Sequence, residues 1–406
     1  MINLSLNHSP SEVVLYACRC IENLQSENPR RRSHAAQELG KLQSTEAVPH
    51  LVERLQMDVN TYVRSASAEA LGHIGDAAAV FPLMDALQDS CTFVRRAAAI
   101  SLGQMQAKQA QGALLRTLDD PNFYVRRAAI NAIGKLGISD IGLLLIPLLD
   151  TSDPRIRRTT ITALRRLRTH EAVPKMIETL EEYLLTPSQR DLPVVKTLVI
   201  TLGDLRAKAA VPVLMRVVRG YVGGRSLAAI ALGQIGDSQA GHVLIEALSD
   251  KSIHLQISAL KSLGQLRCKA ALPAARSLLQ SPDPRLRRVA VLTVGYLADQ
   301  EAIAELLVLA NEDASPLVRP AAVEALGIIG DPHVIPELLL LVDDANAYLR
   351  AALAHTLHVL NGTMPEVRKA LEKLSNDQVE HVALAARRAL ENSNTVEAQS
   401  SHKLAY

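Results

Sequence analysis

A phrase made of Val-Arg, several small residues and Ala-Leu-Gly recurs along the 406 residues, and its spacing constrains the fold more than any other feature. Taking the Leu of Leu-Gly, or the residue in its place, as a register mark gives Leu39, Leu71, Leu102, Ile133, Leu164, Leu202, Leu232, Leu263, Val294, Leu326, Leu357 and Leu390. The intervals run from 30 to 33, except for 38 between Leu164 and Leu202. Seven residues before the mark stands Arg32, Arg64, Arg95, Arg126, Arg157, Arg225, Arg287, Arg319 or Arg350, with Val195, Gln256 and Ala383 as exceptions. Six residues before that Arg, many units carry Asp, as in Asp58, Asp89, Asp120, Asp313 and Asp344. Such an Asp either caps a helix or pairs with the Arg of a stacked neighbour. Both readings make the Asp/Arg set a structural ladder.

Pro49, Pro174, Pro212, Pro273 and Pro336 follow their marks by ten residues and open apolar runs of helical spacing, where the N–H that proline lacks costs nothing. Each unit therefore reads as two short antiparallel helices, helix A after the Pro and helix B after the Asp. The Gly after the marked Leu is expected to stop or tighten helix B. Runs of Ala such as Ala97, Ala98 and Ala99 let neighbouring helices approach closely. Units of this kind bury their faces only by stacking, so the expectation is a right-handed all-α solenoid of about twelve two-helix repeats with a period of about 31. The expected layout is a cap helix in 1–30, a continuous solenoid over 31–392 with an insertion near 181–194, and a polar, disordered tail over 393–406.

Composition agrees. Hydrophobic residues make up 48% but aromatics only 3%, with no Trp, which suits helices packed through small side chains and disfavours sandwiches and barrels. Lys plus Arg (44) nearly balance Asp plus Glu (42), so no global polyanion-seeking surface exists and charge must be read locally. Cys18, Cys20, Cys91 and Cys268 have no zinc spacing and read as reduced thiols. The longest apolar run, near Leu143 to Leu149, is far too short to span a bilayer, and the expected location is cytoplasmic with no membrane partner. No His-Glu-x-x-His, phosphate loop or Gly-x-Ser-x-Gly elbow occurs, so no catalytic residue is identifiable and no metal is expected.

Departures from the period mark the candidate binding residues. Within helix B, the positions one, five and nine after the ladder Arg share a face. They read Arg96, Ile100, Gln104, then Arg127, Asn131, Lys135, then Arg158, Thr162, Arg166: a basic stripe across units three to five. The stripe is either a solvated face or, on the expected concave side, a seat for carboxylates. Tyr62, Phe93, Tyr124 and Tyr348 recur with the period and are expected to be packing residues. Tyr183, Tyr221 and Tyr296 break it and are expected to contact a ligand. The Gly-rich turn Arg219 to Arg225 and the Pro-bracketed insertion frame a groove or act as a hinge. Nucleic acid is the least favoured partner, because few aromatics accompany the stripe.

The segments Arg31-Arg32 to Leu39-Gly40-Lys41-Leu42, Ala47-Val48-Pro49, Tyr62-Val63-Arg64 to Leu71-Gly72, and Ile235-Gly236-Asp237 resemble the short HEAT-like repeat of the phycobilin lyase E/F group. The resemblance runs from about residue 30 to 390. It implies a protein that cradles a phycobiliprotein subunit, with or without a second HEAT-repeat subunit. The implied substrate is a linear tetrapyrrole, the phycobilin, whose propionates the Arg residues would hold during its attachment to a Cys of the partner. The same unit also serves non-catalytic scaffolds, which is the alternative expectation.

Overall fold

The structure is a computed structural model that describes residues 10–403 apart from 187, 221 and 222. Two compact units, Met1–Leu205 and Arg206–Tyr406, divide the chain. Each is an all-α solenoid in which a long helix B alternates with a shorter helix A, and no strand occurs among the described residues. The helix B series of the first unit is α1 (Pro29–Leu42), α2 (Thr61–Ile74), α3 (Thr92–Gln104), α4 (Phe123–Leu136), α5 (Pro154–Leu167) and α6 (Leu192–Asp204). In the second it is α7 (Arg225–Ile235), α8 (Ile253–Gln265), α9 (Pro284–Tyr296), α10 (Val318–Ile329), α11 (Ala347–Asn361) and α12 (Glu380–Lys403). Around the insertion, helix Val173–Leu185 is followed by a short turn at Gln189–Asp191 and then α6.

Helix A begins as the Pro signal requires. A 3-10 turn such as Thr45–Ala47 leads into Val48–Met57, with Pro49 in the first turn and Leu51 and Leu55 buried. Many helix B segments start on an Asn, Asp or Ser cap: Asn60, Asn122 and Asn346 accept from the amides of Tyr62, Tyr124 and Tyr348. The ladder Asp stands two residues upstream of that cap position and accepts a different amide, as Asp58 does from Asn60, Asp89 from Cys91 and Asp344 from Asn346. It therefore shapes the approach to the helix and leaves the cap itself to the next residues.

The glycine after the marked Leu does not stop helix B, the first of the two readings above. The helix runs past it, and the chain reverses four residues after the mark at a left-handed residue: Gly75, Gly137, Gly236 and Gly330, but also Gln43, Gln106, Arg168, Arg267 and Ala298. The Leu-Gly glycine instead lies where helix B backbones nearly touch. A Cβ on Gly40 would lie 2.7 Å from the Ala70 Cα, and one on Gly103 would lie 2.6 Å from the Ala132 Cα. A second tie crosses the same contact one residue before the mark. Ser101 Oγ donates to the Ala68 carbonyl at 2.8 Å and Ser262 Oγ to that of Ala229 at 2.8 Å.

The Arg/Asp ladder clamps consecutive repeats. Arg64 donates through Nε and Nη2 to Asp89 of the next repeat at 2.7 and 2.9 Å, while its Nη1 donates to the Asp58 carbonyl of its own turn at 2.9 Å. Arg32 with Asp58, Arg95 with Asp120, Arg287 with Asp313 and Arg350 with Asp377 repeat this two-pronged geometry, and Arg319 pairs with Asp344. Arg126 departs from the pattern: among the described residues it donates to the Asp120 and Pro121 carbonyls of its own turn and to no carboxylate. Arg157 donates instead to the Tyr183 hydroxyl.

Burial disfavours ionisation of Asp58, Asp89, Asp120, Asp313 and Asp344, but the Arg forks and backbone amides outweigh it and hold these carboxyls below the usual carboxylate range. Because the folded value lies below the unfolded one, about 3.9 for Asp, their stabilisation is present above that value. It is lost as pH falls through the folded values. Thermal unfolding followed by circular dichroism should give a midpoint that is level near neutrality and drops below about pH 4. A midpoint that holds or rises on acidification to pH 3 would contradict the ladder's electrostatic role.

Candidate protein-binding face

Helix B buries one side against its neighbours and leaves the positions after the ladder Arg outward. Among the sequence candidates, Arg96, Arg127, Asn131, Lys135 and Arg166 come together with Ile100 and Tyr124 in a groove of about 300 Å³ across α3, α4 and α5. No carboxylate lines it. Arg96 lies 6.0 Å from the Tyr124 ring centre, and Arg127 lies 5.8 Å from the same ring and 5.6 Å from Phe123. These are cation–π distances. Neither Arg96 nor Arg127 makes an ion pair among the described residues, so four cations face water with little internal compensation. Arg158 is exposed on α5 but does not line this groove. By contrast, the groove between α1 and α2, about 550 Å³, carries both Arg30 and Glu69 and has no such excess.

Tyr296 is exposed on α9 and lines a groove of about 620 Å³ in the second unit with Lys261, Arg267, Arg288, Val289 and Leu292. Its place beside three cations and two aliphatic side chains makes a second acid-receptive groove. Tyr183 has a different role from the ligand contact expected of it. It is buried, its hydroxyl accepts from Arg157, and the guanidinium lies 5.4 Å from its ring centre. It fills the place that Asp holds elsewhere in the ladder. Tyr221 lies outside the described residues.

The periodic aromatics also differ from expectation. Tyr62, Phe93, Tyr124 and Tyr348 are 71, 60, 52 and 69% exposed, while the next residues, Val63, Val94, Val125 and Leu349, are wholly buried. At the first turn of helix B the inward direction belongs to that following residue, so period alone did not distinguish inside from outside. No group of side chains suited to a metal and no helix long and apolar enough to cross a membrane occurs among the described residues.

Stacked helix pairs clamped by a repeating Arg define a helical-repeat binding protein as the class. The family model for HEAT repeats matches residues 19–72, 58–122, 112–192, 222–283 and 272–358, and the chain belongs to this family. No curated protein matches the sequence. Among solved structures, Kap95p in complex with RanGDP is similar with a TM-score of 0.59 and 13% identity, over 95% of this chain and 63% of that one. Importin beta crystallised in polyethylene glycol gives a TM-score of 0.64 and 14% identity, over 94% and 66%. The chain thus spans somewhat under two thirds of these larger solenoids, and the likeness is one of fold. The complex of CpcE and CpcF of phycocyanin lyase from Nostoc sp. PCC7120 is 24% identical over 73% of this chain and 98% of that one, but with a TM-score of 0.34 the likeness carries no structural argument.

Proposed function

We propose that the chain is a protein-binding scaffold that seats an acidic surface of a partner on the helix B face of α3, α4 and α5. The observation that carries this reading is the groove of Arg96, Arg127, Lys135 and Arg166, with no carboxylate among the described residues that line it. Cations left in this state cost little in water and gain when an acidic partner displaces that water, chiefly as faster and more selective association. A photo-crosslinking residue at Asn131 should capture a partner from the native cell, whereas one at Gln56, on helix A, should not. Arg96→Glu with Arg127→Glu should reduce the Asn131 adduct at least tenfold. Equal adducts at both positions, or no effect of the charge reversal, would remove the proposal.

A finer reading rests on the resemblance of the repeat units to the phycobilin lyase group. In it the partner is a phycobiliprotein subunit, and the Arg forks hold the propionates of a linear tetrapyrrole while a partner Cys is brought to it. Co-expression with bilin-producing enzymes and a phycobiliprotein α subunit tests it. Zinc-enhanced fluorescence of that subunit on a denaturing gel would support attachment, and binding without covalent chromophore would leave the scaffold alone.

A further inference from the structure

Along both units the helix B seams are shut at the Leu-Gly glycine: a Cβ on Gly40, Gly103, Gly233 or Gly295 would come within 2.9 Å of the next helix B. The seam between α8 and α9 is open. A Cβ on Gly264 would first meet Thr293 Cγ2 and Tyr296 Cδ2, both at 3.8 Å, which is ordinary contact. The hydroxyl tie across this seam is longer as well, 3.3 Å from Thr293 Oγ1 to the Leu260 carbonyl against 2.8 Å for Ser101 and Ser262 across theirs. The ladder clamp is lost from both ends. Gln256 stands where α8 would carry the Arg and donates to the Leu248 carbonyl of its own repeat. Ser281 stands 25 residues on, where Arg64 finds Asp89 and Arg225 finds Asp250.

The opening is the groove of about 620 Å³, a size usual for small-molecule sites. Buried Gly264 lies at its floor, Leu292 and Tyr296 of α9 form an apolar wall, and Lys261, Arg267 and Arg288 are exposed around it. No carboxylate lines the groove, and none of the three cations makes an ion pair among the described residues. Cations alone would hold an inorganic anion, and an apolar wall alone a neutral molecule. Together they select a molecule that carries both features. A cleft between two helices favours a flat body, which the exposed Tyr296 ring can meet in an offset stack. The guanidinium forks of Arg267 and Arg288 match carboxylate, sulfonate or phosphate oxygens.

The charge is also confined to this cleft. At the helix B position that Lys261 occupies on α8, α7 carries Ile230 and α10 carries Glu324, both exposed. A long polyanion running across the repeats would leave the cations after one seam and meet a carboxylate, whereas a compact ligand would not. We propose that the cleft between α8 and α9 binds a small planar organic anion, its rings against Leu292 and Tyr296 over Gly264 and its acidic group on Lys261, Arg267 and Arg288. The site lies in the second unit and goes beyond the scaffold reading, which concerns the first. A ligand here touches both helices and so supplies a tie across a seam that lacks its fork.

Fluorescence titration of the full chain with anilinonaphthalene sulfonate, whose emission rises in apolar surroundings, tests the proposal. The probe should bind saturably at one site, at least tenfold more tightly than phenylnaphthylamine, which has the same rings without the sulfonate. Inorganic phosphate at equal concentration should not displace it. Tyr296→Ala and Arg288→Glu, both at exposed positions, should each weaken the probe at least tenfold with an unchanged unfolding midpoint, and Gly264→Leu should block it by filling the cleft. Gly264→Ala should hold or raise the unfolding midpoint, because the helix gains propensity and the Cβ meets no backbone. A lowered midpoint in Gly264→Ala would show a shut seam and overturn the site. Equal binding of the neutral probe, binding indifferent to Tyr296→Ala and Arg288→Glu, or no saturable binding would each overturn it too. Arg96→Glu with Arg127→Glu should leave the probe bound. If that pair removes the probe, the ligand sits in the first unit and this site falls while the scaffold reading stands.

Discussion

Gly103→Ala is expected to destabilise the protein by about 2 kcal/mol, although exchanging Gly for Ala within a helix ordinarily stabilises it by up to about 1 kcal/mol. The added Cβ would lie 2.6 Å from the Ala132 Cα and 2.8 Å from its Cβ, and backbone atoms cannot give way as a flexible side chain can. Overpacking of this sort costs about 3 kcal/mol at its upper end, which outweighs the propensity gain. Urea unfolding of the full chain measures it as a lower midpoint. A Gly103→Ala protein as stable as the parent would show that the helices separate freely, and that the glycine contact is no constraint on the stack.

The second large effect is expected for Arg287→Ala, at about 3 kcal/mol. The substitution leaves Asp313, whose side chain is 3% exposed, with its Ser315 amide but without its fork. Stranding a sheltered charge is far more costly than losing a surface ion pair. The comparison is Arg165→Ala, which breaks the pair to Asp204 at 3.3 Å where both groups are a third or more exposed. That change should cost less than about 0.5 kcal/mol. Comparable losses in the two variants would mean that the ladder is no stronger than an ordinary surface contact.

The period and the ladder were legible because one Arg and one Asp recur at fixed offsets in chemically unmistakable form. The meaning of Leu-Gly was not, since a glycine that stops a helix and one that lets two helices meet are written identically. The true reversal four residues after the mark is hidden where Gln43, Gln106 or Arg168 occupies the left-handed conformation. The role of Tyr183 was recoverable in principle. Arg32 reaches Asp58, 26 residues on, and the same step from Arg157 lands on Tyr183. The outward rings were misjudged because periodicity reports position in a repeat and not which side of it faces water. The groove residues were legible as a stripe, because the i, i+4 rule places them on one helix face. Their lack of acidic neighbours depends on residues distant in sequence and only the folded chain displays it.

The broken stretch of the ladder bears on elasticity. A stack of repeats deforms like springs in series, in which the most compliant link takes most of the strain. In the first unit the links after α1, α2 and α3 are fastened by charged forks, while among the described residues Arg126 of α4 holds only carbonyls of its own turn and forms no fork toward α5, and the next link is a phenol. A load on this unit is therefore absorbed between α4 and α5, beside Lys135 and Arg166. Curvature there and occupancy of the basic groove become linked variables, so that whatever grips the groove also sets how far this part of the stack can bend.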